Sequence, residues 1–384
     1  VKDLRKSILL IFLMAVALPS LSAARQVTVA QLHEILAAQQ TENKSDGDRA
    51  QQLNSLELTE QLTQPTLDRI TAEFKPGPKT ALSLKLLADS SVFLEPPAGE
   101  LLDKAPPAVA EQRAMMKSAI NFVGVTLHQM PDFLATRLTD SYDNIPLSVT
   151  HSGWAPHTDL HPAGNFSHHI TYRNGQEVLD LQPDSSGAKP KNEPSPAGLV
   201  SFGEFGAALG VILTDASKGI LKWSHWEQTA AGPVAVYHYE VPTAASHYWV
   251  NYCCVRSSSN DTSDAIASVL PDLNRDVNSY HGTPSYHGNL YLDPATGAVL
   301  RVTVESDLKP SDPIMRAAIS VQYGPVEIGG KSYICPMHSI AISLTKSHAG
   351  GDMSDREILR INDVSFTDYH RFGSTVRIIT DAPQ

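Results

Sequence analysis

From Phe133 onward apolar and polar residues alternate with a period of two, and this constrains the fold more than any other feature. The runs are "FLATRLTDSYD", "HHITYRNGQEVLDLQ", "GPVAVYHYEVP", "SHYWVNYCCV", "GNLYLDP", "GAVLRVTVES", "MRAAISVQYGP", "SIAISLT" and "EILRINDVSFTDYHRF". Turn formers such as Arg173-Asn174-Gly175 and Gly329-Gly330 separate them, as expected for strands. Successive side chains on a strand face opposite ways. Leu290 and Leu292, then Leu300, Val302 and Val304, then Ile319, Val321 and Tyr323, then Ile340, Ile342 and Leu344 therefore define an apolar face. Tyr291, Arg301, Thr303, Ser320, Gln322 and Ser343 alternate with them. Short connections make neighbouring strands antiparallel, which permits one dry and one wet face. Within "SFGEFGAALGVILTDASKGILKWSHWE" a helix is expected over 204–216, lying on the dry face, and 183–198 is expected to be a loop.

Residues 27 to about 130 read instead as helical. "VTVAQLHEILAAQQ" places Val27, Leu32, Ile35 and Leu36 near one face, and "TALSLKLLADSSVFL" repeats Leu82, Leu86, Leu87 and Phe93 at similar spacing. Thr63 before Gln64-Pro65 reads as an N-cap with proline in the first turn. "EPPAGELLDKAPPA" is a proline-rich connector. After it, "VAEQRAMMKSAINFVGVTLHQM" is expected to cover the sheet with Ala110, Met115, Ala119, Phe122, Val123 and Leu127.

Lys2, Arg5 and Lys6 precede an apolar run over 7–18, then Pro19 and small residues through Ala24. This is the plan of a secretory signal peptide, with cleavage expected after Ala23 or Ala24. The run falls well short of the ~20 residues that span a bilayer core. Removing 1–24 takes away those three cations and Asp3, moving the formal charge from −11 to −13. Such an acidic chain disfavours nucleic acid and anionic lipid surfaces as partners, and it is expected to be peripheral to a membrane at most.

In an oxidising compartment the three cysteines are expected to pair, one of Cys253 or Cys254 with Cys335; a vicinal bridge and free thiols are the alternatives. Metal ligation has one candidate: His157 and His161 stand four apart with Asp159 between them, followed by His168 and His169. Pro156 and Pro162 bracket the pair, and Thr158 stands where a zinc protease has glutamate, so loop histidines are the plainer reading. Cys335 with His338, and His348 with Asp352, have no nucleophile's surroundings. No serine-nucleophile elbow, phosphate loop or calcium loop occurs, and no cofactor is implied. Trp223, Trp226, Tyr237, Tyr239, Tyr248, Trp249 and Tyr252 cluster within thirty residues and could line an apolar ligand site or cover the sheet.

Taken together, "GEFGAALGVIL", "WSHWEQTAAGPVAVYHYEVP", "YHGNLYLDPATGAVLRVTVE" and "YGPVEIGGKSYICPMHS" resemble a family of uncharacterised secreted bacterial proteins. Over 133–384 the strand order and the two turns are similar to the periplasmic lipoprotein-carrier superfamily of LolA, LolB and the RseB-type sensor domain. That resemblance implies a curved antiparallel half-barrel around an apolar cavity closed by helices. Trp223, Trp226, Tyr237, Tyr239, Tyr248, Leu290, Leu292, Leu300, Val302, Val304, Ile319 and Val321 are then the cavity candidates, and no catalytic residue carries over. The expectation is an α+β chain: signal peptide 1–24, helical domain 25–105, and a curved β domain with covering helices over 106–384. Its implied role is non-enzymatic binding of a lipid, acyl chain, lipoprotein or other envelope protein in the periplasm or outside the cell. The alternatives are a metal-assisted hydrolase built on His157 and His161, and an interaction scaffold with a filled core.

Overall fold

The computed structural model describes residues 25–126, 129–145, 159–179, 196–229, 232–253, 280–347 and 356–371. The expected signal segment, Leu127, His157, Cys254, His348, Asp352 and most of the 183–198 loop lie outside these residues. The protein is α+β: helices first, then one large antiparallel sheet.

Strand β1 (Arg25–Val27) pairs in parallel with β2 (Leu56–Leu58), so Val27 belongs to a strand and not to the helix that its spacing suggested. Thr28 is the reason. Its hydroxyl accepts from the Gln31 N–H while the Gln31 side chain accepts from the Thr28 N–H, a reciprocal cap that starts α1 (Val29–Thr41) one residue later. Helices α2 (Asp46–Asn54), α3 (Gln64–Phe74) and α4 (Pro78–Ser91) follow. Thr63 is the N-cap of α3 and proline occupies the first turn, as expected, although the Thr63 hydroxyl donates to Glu100 rather than capping. Leu32, Leu36, Leu53, Leu58, Ile70 and Leu84 give these helices a core of their own.

Helix α5 (Val109–Asn121) leads through a wide turn over Phe122–Thr126 into the sheet. Met115, Ala119, Phe122 and Val123 are buried as expected; Ala110 is exposed. The sheet strands are β3 (Phe133–Asp143), β4 (His161–Arg173), β5 (Gln176–Leu179), β7 (Ile220–Thr229), β8 (Gly232–Val241), β11 (Ser285–Leu292), β12 (Val299–Asp307), β13 (Ile314–Ile328), β14 (Lys331–Ser347) and β15 (Arg356–Arg371). Their order is β5-β4-β3-β15-β14-β13-β12-β11-β8-β7, and every neighbour is antiparallel. Short β6 (Gly198–Leu199), β9 (Val250–Cys253) and β10 (Tyr280–Gly282) form a separate three-stranded piece. Helix α6 (Ala207–Ala216) starts later than the expected 204, and β7 occupies residues that period two did not single out.

The principal core lies on one face of the sheet, under α5, α6 and the small sheet. It includes Leu290, Leu292, Val302, Val304, Ile319 and Val321. Ile340 and Ile342 do not join them. Ile319 pairs with Ala341 and Val321 with Ser339, which turns Ile340 and Ile342 to the opposite face. There they meet Tyr142, Ile361 and, from α4, Leu86. The face expected to be wet is thus partly covered by the helical region.

Candidate functional site

An open cleft of 840 Å³ runs along the outward side of α6. Leu209, Ile212, Leu213 and Ala216 bury the other side of this helix in the core. At the complementary helical spacing Ala207, Gly210, Val211, Thr214 and Lys218 form the floor of the cleft. The walls come from Val123 and Gly124 after α5, from Tyr172 and Gly175-Gln176-Glu177 of the β4–β5 hairpin, from Phe202, Gly203, Phe205 and Gly206, and from His247. A Cβ placed on Gly210 or Gly124 would meet nothing within 4 Å. Behind the wall, aromatic rings make a rigid backing: Phe133 stacks on Tyr172 at 4.8 Å, and Phe205 contacts Phe133 at 5.4 Å and Phe366 at 5.6 Å.

The end of the cleft near Gly203 is acidic and incompletely satisfied. Glu177 accepts from the Gly203 N–H at 3.2 Å through Oε2, while its Oε1 is buried with no hydrogen-bond partner. Glu204, 1 % exposed, has no hydrogen-bond donor on either carboxylate oxygen. Arg137 Nη1 reaches to 3.5 Å from Glu204 Oε1, and the same guanidinium donates to Ser201, Nη1 to the carbonyl at 2.8 Å and Nη2 to Oγ at 3.1 Å. Burial first, and the neighbouring Glu204 charge second, push the Glu177 carboxyl up to about 7. Burial also raises the Tyr323, Tyr369 and Tyr248 hydroxyls above the ordinary phenol range, with Glu204 adding to the effect.

The other end is satisfied. Fully buried Asp215 accepts from the His247 N–H at 2.7 Å and from the Tyr286 hydroxyl at 3.0 Å, and pairs with His247 Nδ1 at 2.6 Å.

None of the cavity candidates read from the sequence lines this cleft. Trp223 meets Trp226 at 4.9 Å and Tyr237 at 5.4 Å; Tyr286 meets Tyr239 at 5.9 Å and Tyr248 at 5.1 Å. These rings, with Leu290, Leu292, Leu300, Val302, Val304, Ile319 and Val321, pack against one another and the covering helices. Trp249 is exposed.

Cys335 is a free, buried thiol next to Met130 Sδ at 3.9 Å, and burial pushes it up to about 12; its expected partner, Cys254 or the side chain of Cys253, lies outside the described residues. Cys253 contributes its backbone to β9, and its side chain is outside the description. Of the metal candidates, Asp159 accepts from Asn54 Nδ2 at 3.1 Å, and His161 Nδ1 lies 3.0 Å from the Asp159 carbonyl. Among the described residues no group of three or more histidine, cysteine or acidic side chains could hold a metal ion. His338 pairs with Asp363 at 2.5 Å.

Glu177, Glu204 and Arg137 were legible in principle. Phe133, Ala135, Arg137 and Thr139 share one face of β3, so period two places a guanidinium in the core, where it needs a carboxylate. "FGEFG" offers one between two phenylalanines. No family model, curated protein or solved structure matches the chain, and the chemistry of the cleft has to be read from its own geometry.

Proposed function

We propose that this chain is a non-enzymatic, extracytoplasmic binding protein for an amphipathic ligand, a lipid, acyl chain or lipopeptide, seated in the cleft along α6. The observation that carries the reading is the cleft itself. At 840 Å³ it lies within the usual range for ligand sites, about 300–1,000 Å³, and pairs a floor of small side chains, opened at Gly210, with polar groups towards its ends. Removing apolar ligand surface from water at ~25 cal/mol per Å² supplies affinity without a titrating group. The N-terminal segment supports export, and among the described residues no helix is long and apolar enough to cross a membrane. In this reading the sheet bends round its covered face as a half-barrel. Register irregularities at Ser141/Tyr142, Trp223/His225, Tyr291/Leu292 and Gln322/Tyr323 support such bending.

The test uses Gly210→Leu. The Cβ of this substitution meets nothing within 4 Å, its longer side chain occupies the floor, and helix propensity improves by up to about 1 kcal/mol. The variant is expected to keep or raise its Tm while losing uptake of a fluorescent acyl probe that the unaltered protein takes up. Equal uptake by both proteins, or none by either, rejects the reading.

A second reading, a scaffold for another envelope protein, draws on the aromatic core beneath the sheet, where side chains and not cargo fill the space. Pulldown of a protein partner by the Gly210→Leu variant as efficiently as by the unaltered chain favours it.

A further inference from the structure

The acidic end of the cleft indicates which ligand head it receives, an inference that rests on the cleft binding an amphiphile. Two carboxyls, half-buried Glu177 and buried Glu204, stand near one guanidinium: Arg137 lies 3.5 Å from Glu204, acts on Glu177 through its charge, and donates to Ser201. Among the described residues three carboxyl oxygens find no hydrogen-bond donor: Glu177 Oε1 and both oxygens of Glu204. Buried acceptors without donors are costly, and a carboxylate buried without adequate compensation more so. Glu177 is the one of the pair that lines the cleft. What the site lacks is therefore a donor, preferably one carrying positive charge.

The far end has no such deficit. Asp215 accepts from His247 and Tyr286, and Lys218, which lines the cleft there, would repel a second cation. A cation is thus favoured at one end only, which orients the ligand along α6. The dipole of α6 runs the other way, its positive N-terminal end on the Glu177 side, so the preference rests on the side chains at the two ends and not on the helix.

We infer that the cleft takes amphiphiles with a protonated amine head, the ammonium lying against Glu177 and the chain extending over Gly210 and Val211. An anionic head would meet two carboxyls and one guanidinium already engaged, so fatty-acid carboxylates are the disfavoured class. Seating an ammonium there favours the ionised form of Glu177. An uptake experiment below neutral pH should accordingly release protons from the protein.

The experiment compares decylamine, decanol and decanoate by titration calorimetry on the full chain, below the concentrations at which they aggregate. Decylamine is expected to bind about tenfold or more tighter than decanol, with decanoate weakest. At pH 6.5, buffers of different ionisation enthalpy should show proton release with the amine and none with the alcohol. Glu177→Gln keeps an acceptor for the Gly203 N–H, so it is expected to fold; it should lower amine affinity to that of the alcohol, leave the alcohol unchanged and abolish proton release. If decanol binds and decylamine gains nothing over it, or if Glu177→Gln leaves the amine preference intact, the head-group assignment is overturned while the binding function stands. If none of the three binds, both fall together.

Discussion

Gly288 shows how little room a single position leaves in the sheet. It faces Tyr239 across the β8–β11 ladder, and the Tyr239 hydroxyl passes over it to donate to the Thr303 carbonyl at 2.6 Å on β12. A Cβ on Gly288 would lie 1.9 Å from that carbonyl oxygen and 2.8 Å from the Tyr239 hydroxyl. One missing side chain thus lets an aromatic ring tie three strands together, with the ring filling the gap the glycine leaves. Gly288→Ala is expected to cost about 3 kcal/mol, read as a lower urea midpoint. Gly99→Ala, where a Cβ meets nothing within 4 Å, is the control and should leave the midpoint nearly unchanged. Gly297 answers a different demand. Its φ of +77° closes the turn after Asp293, whose carboxylate accepts from the Ala295 N–H at 2.9 Å and the Thr296 hydroxyl at 2.6 Å.

At the scale of elements, α4 is held on the sheet by a mixed contact. Leu86 and Val92 pack on Ile340, Ile342 and Ile361, and Lys85 bonds both Asp89, at 2.6 Å, and Asp363 of β15. One ammonium serves two buried carboxyls. Asp363 has His338 as well, and its carboxyl is held below the ordinary range: burial opposes this, but hydrogen bonding to His338 and the charge of Lys85 outweigh it. Asp89 yields instead, with burial pushing it up to about 6. Lys85→Met leaves both carboxyls without their shared cation. Because Lys85 is 38 % exposed at its side chain, the expected loss is only about 1–2 kcal/mol. It should be larger at pH 8 than at pH 5, where Asp89 is protonated, and denaturant titrations at the two values check this. The strands of this contact were legible because alternation marks a ladder whatever it packs against. That α4 lies on them was not, since the apolar spacing of Leu82 and Leu86 names a buried face without naming its partner. The cleft was missed for a related reason. It lies where α6 turns small and polar residues outward, whereas a search for large apolar side chains finds the packed interior.

At the scale of the whole molecule, Asp46 and Asp363, held below the ordinary range, lose their contribution to stability as pH falls, whereas the carboxyls that folding makes less acidic act in the opposite sense as pH rises. Glu177 titrates at about 7 in the folded protein against an ordinary 4.5, so the native state keeps its proton longer than the unfolded chain. Stability is then fullest below about pH 4.5 with respect to this group, and it is lost as pH rises through about 7. The loss is on the order of 2 kcal/mol between pH 5 and 8. Asp89 adds a loss of the same sign that ends near pH 6. Thermal melts of Glu177→Gln should retain only the earlier loss; an unchanged profile would show that Glu177 titrates normally. The long connector completes the architecture. Leu101 bridges to Glu227, Leu102 donates to the Trp226 carbonyl at 3.2 Å, and Lys104 lies 3.9 Å over the Trp226 ring, so the outer edge of β7 is strapped rather than left open to another chain.

The floor of the cleft is a helix resting on the sheet, not a strand woven into it. Widening the groove would mean lifting that helix, which uncovers Leu209 and Ile212 and parts Asp215 from Tyr286, while every rung of the ladder beneath stays joined. The width of the groove is thus set by what packs beneath the helix, and not by the hydrogen bonds of the strands.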